Sequence, residues 1–146
     1  RSVSSAEQAE KDEPAGNVLK GMRFLCAEDN EINAEILMEL LKIEGAECTI
    51  CENGERVLET FERSVPGEYD MILMDVQMPV MNGYEATRKI RSSSHPEAKT
   101  MVILAMTANA FAEDVQKSIS AGMNGHVAKP VDMKILYNTL MALLDD

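Results

Sequence analysis

Residues 71–75 read Met-Ile-Leu-Met-Asp, and this stretch decides the fold. Four bulky apolar residues in a row, with no polar residue between them, are typical of a parallel strand that is buried on both faces. A second continuous apolar run covers residues 101–106 and stops at Thr107 in the same way. Because such strands need helices on both sides of their sheet, the two runs predict an α/β domain with both strands at or next to its centre.

The sequence outside these runs alternates between strand-like and helix-like segments. Weaker strands are predicted near residues 22–27, 46–51 and 124–128, which brings the number of strands to five. Amphipathic segments with apolar residues at helical spacing follow each strand; the first is capped by Asn30 and ended by Gly45. Five strands alternating with five helices predict a single doubly wound domain with a parallel five-stranded sheet.

The composition excludes several classes of protein. Hydrophobic residues make up 45% of the 146 residues and charged residues 27%, which is ordinary for a soluble globular protein. The net charge of -11 argues against direct binding to nucleic acid, which normally needs a basic surface. No apolar stretch approaches about 18 residues and no signal peptide is present, so we expect a cytoplasmic domain without direct membrane contact.

The first twenty residues differ from the rest of the chain. They are rich in Ser, Ala and Glu and hold almost no bulky apolar residue before Val18. This composition predicts a flexible linker or tail over residues 1–20 and a folded domain over residues 21–146. The chain starts with Arg1 and not with Met, which suggests a fragment of a longer protein.

The three cysteines do not predict a metal or disulfide site. Cys48 and Cys51 form a CxxC motif, but the surrounding sequence alternates like a strand, and strand residues three apart point to opposite faces. No second pair of Cys or His completes a zinc site. An odd number of cysteines, with Cys26 as the third, fits a reducing setting.

Five polar residues follow directly on the predicted strands. The carboxyl ends of parallel strands meet at one edge of the sheet, which is where ligands bind in this architecture. This edge receives three carboxylates, a hydroxyl and an ammonium, from Glu28, Asp29, Asp75, Thr107 and Lys129. Clustered carboxylates repel one another unless a cation neutralises them, and Mg²⁺ is the natural hard cation for their oxygens. The cluster therefore predicts a site for a divalent cation and a phosphoryl group.

Roles within this site follow from the chemistry of each group. Asp29 and Asp75 are the expected direct ligands of Mg²⁺, or of Mn²⁺ in its place, with Glu28 binding directly or through water and the backbone carbonyl of Gln77 completing the set. Asp75 is the expected nucleophile. Lys129 and Thr107 are expected to contact the phosphoryl oxygens.

The ordered set of motifs resembles the receiver domain of two-component response regulators. The motifs are Glu28-Asp29, Asp75 with Met78-Pro79 and Gly83 behind it, Thr107-Ala108 and Lys129-Pro130. The resemblance covers residues 21–146 and implies the flavodoxin-like (βα)5 fold with strand order 2-1-3-4-5. It also implies Mg²⁺-dependent transfer of a phosphoryl group from a partner phosphohistidine to Asp75, and a cis peptide bond before Pro130.

The sequences of three segments are most similar to those of receivers attached to hybrid sensor histidine kinases. These segments are residues 27–30, 106–109 and 121–124. The resemblance implies a histidine kinase core or a histidine phosphotransfer protein as partner, and a parent chain that is a histidine kinase with its receiver in the cytosol. The isolated domain is expected to be a monomer and a self-phosphorylating switch, not a turnover enzyme. A stand-alone response regulator is the alternative.

One position departs from the pattern of the family. Many receivers carry Tyr or Phe three residues before the lysine, and this chain has His126 there. Phosphorylation is expected to draw Thr107 inward, with His126 following or lying on the short strand without a role in the switch. Gln77 and Ala108 are expected to line the path of water to the phosphoryl group and so to set its lifetime.

Two other functions are compatible with part of the motif set. A phosphatase with an Asp nucleophile needs a second carboxylic acid two residues on, and this chain has Gln77 there. A degenerate receiver would bind partners without phosphorylation, but every motif that carries the resemblance to the family is present.

Overall fold

The computed structural model describes residues 19–108 and 112–144 of the chain. In these residues five strands alternate with five helices. The strands are β1 Arg23–Ala27, β2 Glu47–Cys51, β3 Met71–Asp75, β4 Val102–Thr107 and β5 Gly125–Ala128. The helices are α1 Glu31–Ile43, α2 Gly54–Arg63, α3 Gly83–Arg91, α4 Ala112–Ala121 and α5 Met133–Leu144.

The strands form one parallel sheet in the order β2-β1-β3-β4-β5. The central strand is β3, and every one of its residues is buried, as the apolar run predicts. Its Met74 pairs with Ala27 of β1 on one side and Ala105 of β4 on the other. The parallel sheet, its order and the central position of β3 are therefore confirmed.

Two apolar cores cover the two faces of the sheet. On one face Val57 and Phe61 of α2 and Ile90 of α3 pack against alternate residues of the strands, Ile72 among them. On the other face the buried residues come from α1 and α5 and from the intervening strand positions: Leu37, Leu41, Leu136, Leu140, Met71 and Leu73. Because all five strands are parallel, their carboxyl ends lie at one edge of the sheet, between the two helical layers.

Asparagine side chains fix where three helices begin. Asn30 accepts a hydrogen bond from the backbone N–H of Asn33, as the sequence predicts for α1. Asn53 and Asn82 do the same for α2 and α3, with the N–H of the third residue on as donor. Such caps satisfy N–H groups that a helix leaves without internal partners, so each helix starts directly after the loop at the carboxyl edge.

The packed part of the chain extends further toward the N-terminus than residue 21. Leu19 lies within the predicted tail, yet its side chain is 0% exposed and belongs to the core on the α1 and α5 face. The backbone N–H of Met22 donates to the carbonyl of Leu19, and that of Gly21 donates to Gly45. Residues 1–18 of the predicted tail lie outside the described residues.

Some apolar residues at helical spacing do not reach the core. In α1, Ile32 and Ile36 are 69% and 49% exposed, whereas the buried residues of this helix are Ala34, Leu37 and Leu41. Ile119 of α4 is also exposed. The apolar face of α1 is thus wider than the sheet can cover, because one helix packed on a sheet buries only a narrow stripe.

Candidate functional site

The three predicted carboxylates meet at the carboxyl edge of the sheet. Glu28 and Asp29 follow β1, and Asp75 is the last residue of the neighbouring β3. One oxygen of each carboxylate lies within 4.8 Å of the other two. Glu28 and Asp75 are buried, whereas Asp29 is exposed. Carboxylate oxygens at this spacing form a donor set that suits a hard divalent cation, with Asp29 on the solvent side.

Lys129 contacts two of these carboxylates from the end of β5. Its Nζ donates to Oδ2 of Asp75 at 2.8 Å and lies 3.2 Å from Oε1 of Glu28. The remaining oxygens of the pair accept backbone hydrogen bonds: Glu28 from the N–H of Asn30, and Asp75 from the N–H of Gln77. Both buried carboxylates are thus held in fixed orientations by at least one donor on each side.

The electrostatics of the cluster show a shortage of positive charge. Burial raises the pKa of Glu28, and the charge of Asp75 raises it further, although the N–H of Asn30 and the ammonium of Lys129 oppose both effects. For Lys129, burial lowers the pKa, but the hydrogen bond and charge of Asp75 together with Glu28 outweigh burial and raise it. One ammonium therefore does not compensate three carboxylates, and a bound cation would relieve the imbalance.

The loop from Asp75 to α3 is held close beneath the cluster. A Cβ atom added to Gly83 would lie 2.3 Å from the carbonyl oxygen of Asp75, so only glycine lets α3 start at this place. The N–H of Gly83 donates to the carbonyl of Val76. Within the loop Val80 has φ 69 and spans a tight turn from the carbonyl of Pro79 to the N–H of Met81. The left-handed region of backbone conformation is strained for a β-branched residue such as Val80.

Comparison with known proteins identifies the family of this chain. Residues 24–141 match the response regulator receiver domain. The chain belongs to this family. It is a receiver domain of two-component phosphorelay signalling, and its strand order is the one that the resemblance implies.

Its relatives among curated proteins include hybrid histidine kinases and histidine kinases. The receiver is 35% identical over 130 residues to hybrid signal transduction histidine kinase I of Dictyostelium discoideum. The aligned region covers 88% of this chain and 8% of the relative. It is 36% identical over 138 residues to probable histidine kinase 2 of Oryza sativa subsp. indica, covering 87% and 13%. The chain thus spans less than a seventh of the length of these relatives.

Solved structures of receivers share its fold. The receiver domain of a sensor histidine kinase from Pseudomonas aeruginosa PAO1 has a TM-score of 0.75 and 34% identity, over 86% of this chain and 99% of that one. That structure has a magnesium ion coordinated in its active site cleft. The receiver domain of Ssk1 in complex with the phosphotransfer protein Ypd1 of Saccharomyces cerevisiae has a TM-score of 0.71 and 28% identity, covering 84% and 88%.

The other predicted site residues of the receiver lie around the cluster. Thr107 is buried at the end of β4, and its carbonyl accepts the backbone N–H of Lys129. Ala108 is exposed directly after it. The peptide bond between Lys129 and Pro130 is cis, as the resemblance implies.

His126 is partly buried on β5. It pairs in register with Ala105, which belongs to the core on the α2 and α3 face. The expected movement of His126 with Thr107 on phosphorylation stays a prediction.

The cysteines and the second histidine of the receiver have structural surroundings. Cys51 packs in the core on the α2 and α3 face and Cys48 against the opposite core, which confirms that the CxxC motif spans two faces. The Sγ atom of Cys48 instead lies 3.2 Å from that of Cys26. In His95, Nδ1 accepts the N–H of Glu97 and Nε2 lies 2.9 Å from the carbonyl of Ser64, so both ring nitrogens are engaged.

Sequence reasoning did not identify Arg91 as an anchor of this domain. Its guanidinium, at the end of α3, donates to the carbonyls of Gly122 and Ala98 and to Oδ1 of Asn124. Asn124 in turn accepts the N–H of Ile103 in β4. Burial lowers the pKa of Arg91. The spacing of Arg91 from its partners in sequence gives no signal of this contact, since it depends on how α3 and β5 lie in space.

No helix among the described residues is long and apolar enough to span a membrane.

Proposed function

We propose that Asp75 accepts a phosphoryl group from a phosphohistidine of a partner protein and thereby switches a partner-binding surface of the receiver. The observation that carries this proposal is the cluster of Glu28, Asp29 and Asp75, with oxygens within 4.8 Å of one another and one ammonium, that of Lys129, on two of them. A buried, oriented carboxylate beside a cation and a metal ligand set has the features of an activated nucleophile.

The residues present fit a Mg²⁺ ion. Asp29 and Asp75 would bind it directly, Glu28 directly or through water, and the backbone carbonyl of Gln77 would add a further oxygen. The cation supplies charge neutralisation and a ligand position for a phosphate oxygen. The magnesium in the cleft of the Pseudomonas receiver supports this choice of metal. Mn²⁺ is an alternative with the same preference for oxygen ligands.

The protein's own groups have separate tasks in the transfer. A carboxylate oxygen of Asp75 attacks phosphorus, a P–O bond forms, and the P–N bond to the imidazole of the donor breaks, with the ring leaving as the neutral group after it takes up a proton. Lys129, whose Nζ donates to Oδ2 of Asp75, is proposed to move to an equatorial phosphoryl oxygen. The hydroxyl of Thr107, buried one strand away, is proposed to bind another.

The partner that we propose is a histidine kinase core or a histidine phosphotransfer protein. The Ssk1 receiver, to which this chain is similar, forms a complex with Ypd1. The similarity to hybrid kinases supports a parent chain of that kind, with the receiver acting in the cytoplasm. We propose that the isolated domain is a monomer and that it contacts neither nucleic acid nor membrane.

Transfer from a phosphorylated histidine phosphotransfer protein tests the proposal. The purified donor, labelled on its histidine, is mixed with the receiver with Mg²⁺ or with EDTA. We expect label on the receiver with Mg²⁺ only, and none on Asp75→Asn. Asp70→Asn is a matched control, because Asp70 bonds the backbone N–H of Arg23, whose strand ends at the site, without belonging to the carboxylate cluster. Sustained hydrolysis of a generic phosphate ester would instead favour a phosphatase.

A further inference from the structure

Cys26 of β1 and Cys48 of β2 bring their thiols together on one face of the sheet. Both are free cysteines, and their Sγ atoms lie 3.2 Å apart. The register pairs Cys48 with Phe24, two residues before Cys26, so the two side chains project from the same face. Both cysteines contact the core on the α1 and α5 face. The distance between the sulfur atoms exceeds the length of an S–S bond by only about 1 Å.

The two thiols differ in their access to solvent. Cys26 is fully buried, whereas Cys48 is half-buried and lines a surface cavity of about 240 Å³. The hydrogen bond with Cys26 lowers the pKa of Cys48, although partial burial opposes this effect. The thiolate is the form of a cysteine that reacts with oxidants. A reagent in solution therefore meets Cys48 first, with the Cys26 thiol in place beside it.

We propose that Cys26 and Cys48 form an oxidisable dithiol that closes to a disulfide on reaction with a peroxide. The Cys48 thiolate attacks one oxygen of hydrogen peroxide, the O–O bond breaks, and the leaving hydroxide becomes water with the proton that Cys48 has lost. The product is a sulfenic acid on Cys48. The Cys26 sulfur then attacks the Cys48 sulfur, the S–S bond forms, and the S–O bond breaks with loss of a second water, which takes the proton of the Cys26 thiol. Two thiols are oxidised and one peroxide is reduced, and dithiothreitol reverses the reaction by thiol–disulfide exchange.

Closing the bond requires a movement of the backbone. Residues two positions out of register lie about 7–8 Å apart at Cα, whereas disulfides join Cα atoms about 4.4–6.8 Å apart. The strand that can move is β2, because it lies at the edge of the sheet and pairs with β1 alone among the described strands. Cys48 lies nearer the amino edge than Cys26, so β2 would shift toward the carboxyl edge by roughly 1 Å.

This shift would act on the backbone of Glu28. The N–H of Glu28 donates to the carbonyl of Cys51, the last residue of β2, at 3.0 Å. N–H···O bonds weaken beyond about 3.2 Å, so a shift of β2 by about 1 Å disrupts this one. Loss of a hydrogen bond that orients a metal ligand lowers metal affinity about 10- to 100-fold. The disulfide should therefore weaken Mg²⁺ binding, a consequence that rests on the proposed metal site, whereas the cross-link itself does not.

Intact mass and peptide mapping test the cross-link. The reduced chain is treated with hydrogen peroxide, and the remaining thiols are alkylated in denaturant. We expect one alkylated cysteine, Cys51, in place of three, and a peptide in which Cys26 is joined to Cys48. Dithiothreitol should restore three alkylated cysteines.

Two variants control this measurement. Cys51→Ala should still form the cross-link, because the Cys51 side chain lies in the core on the opposite face, with its Sγ 3.5 Å from Oγ1 of Thr60. Cys48→Ser should not form it. Melting curves show whether each variant is folded.

Calorimetric titration with Mg²⁺ tests the consequence for the site. We expect the oxidised chain to bind Mg²⁺ about tenfold more weakly than the reduced chain, and dithiothreitol to restore the affinity. Peroxide can also oxidise the eleven methionines of the chain. Cys48→Ser controls for this damage, and its Mg²⁺ affinity should be the same before and after peroxide.

Three free thiols after peroxide, a sulfenic or sulfinic acid on Cys48 without a link to Cys26, a link that includes Cys51, or a link between two chains would overturn the dithiol assignment. An unchanged Mg²⁺ affinity in the cross-linked chain would overturn the coupling of β2 to the site. Absence of Mg²⁺ binding in the reduced chain would overturn the proposed metal site itself, and the peptide map would still decide whether the dithiol closes.

Discussion

At the scale of single residues, the ionised carboxylate of Glu28 lowers the stability of the fold at the proposed metal site. It is buried beside Asp75, and among the residues that the structure describes only Lys129 forms a salt bridge with it. Burial raises its pKa from the ordinary value of 4.5, so the folded protein binds its proton more tightly than the unfolded chain does. The free energy of unfolding must then fall as pH rises from about 4.5 through the raised pKa, because the ionised carboxylate is the less favourable state in the fold.

Glu28→Gln should therefore stabilise the metal-free domain. The amide keeps an oxygen that can accept the N–H of Asn30 but carries no charge. We expect a melting temperature a few degrees higher at pH 7 in EDTA, and a flatter dependence of stability on pH above 4.5. Mg²⁺ should raise the melting temperature of the unaltered chain more than that of the variant, since at one concentration a ligand that binds the fold more tightly stabilises it more. A variant less stable than the unaltered chain in EDTA would contradict this account.

Lys129→Arg should separate phosphorylation from its consequence. The ammonium is a compact charge 2.8 Å from Asp75 and 3.2 Å from Glu28, and a planar guanidinium cannot occupy the same point. We expect some phosphorylation to remain while the response of the rest of the domain is lost. Amide chemical shifts with and without a phosphate mimic measure this response, with Lys134→Arg, exposed on α5, as the control. The normal pattern of shifts in Lys129→Arg would show the explanation to be wrong.

The sequence predicts the chemistry of single residues better than their partners. The carboxylates and the lysine could be found because each follows a strand of one parallel sheet. The contact of Lys129 with both Glu28 and Asp75, and the anchoring of Arg91 on Gly122, depend on side-chain directions in space. No spacing in the sequence encodes these.

At the scale of elements, the start of α3 depends on one missing side chain. A Cβ atom on Gly83 would meet the carbonyl oxygen of Asp75 at 2.3 Å and Cγ of Met74 at 2.9 Å. The first of these is backbone of the central strand and cannot move aside, so α3 itself would have to shift. The loop with Gln77 and Pro79 lies between them and would shift as well.

Gly83→Ala should consequently destabilise the domain and weaken metal binding together. Overpacking of this kind costs about 1–3 kcal/mol. Gly125→Ala is the comparison, because its Cβ would meet side-chain atoms and no backbone, Cδ2 of Leu104 at 3.2 Å and Cγ2 of Thr139 at 3.8 Å. Urea unfolding gives the two stabilities, and Mg²⁺ titration gives the affinity. If Gly83→Ala is no more destabilising than Gly125→Ala, the close approach of α3 to Asp75 does not constrain the site.

The elements themselves follow from local patterns where packing and pattern agree. The strand at Met71–Asp75 and the Asn30 cap of α1 are as predicted because continuous apolar runs and caps act locally. Spacing alone could not predict that Ile32, Ile36 and Ile119 are exposed. Apolar residues lie on more than one face of these helices, and packing against the sheet decides which face is buried.

At the scale of the whole molecule, the limit of the packed domain lies before residue 21. Leu19 is fully buried in the core shared by α1 and α5. A low-complexity tail that ends in the adjacent pair Val18 and Leu19 gives no sign in sequence that Leu19 packs, since two neighbouring apolar residues have no periodicity.

Leu19→Ala should cost about 2–5 kcal/mol, the usual range for a buried leucine. Lys20→Ala, at the exposed neighbouring position, should change stability by less than about 0.5 kcal/mol. Denaturant unfolding of both variants measures these values. Equal, small changes in the free energy of unfolding of the two variants would mean that the burial of Leu19 does not stabilise the domain.

Mapping the phosphoryl group identifies the residue that accepts it. The domain is treated with acetyl phosphate and Mg²⁺, the acyl phosphate is reduced with borohydride, and the peptides are sequenced by mass spectrometry. We predict conversion at residue 75 alone, lost with EDTA and absent in Asp75→Asn. Conversion at Asp29 or Glu28 in its place, or labelling that persists in Asp75→Asn, would contradict the account.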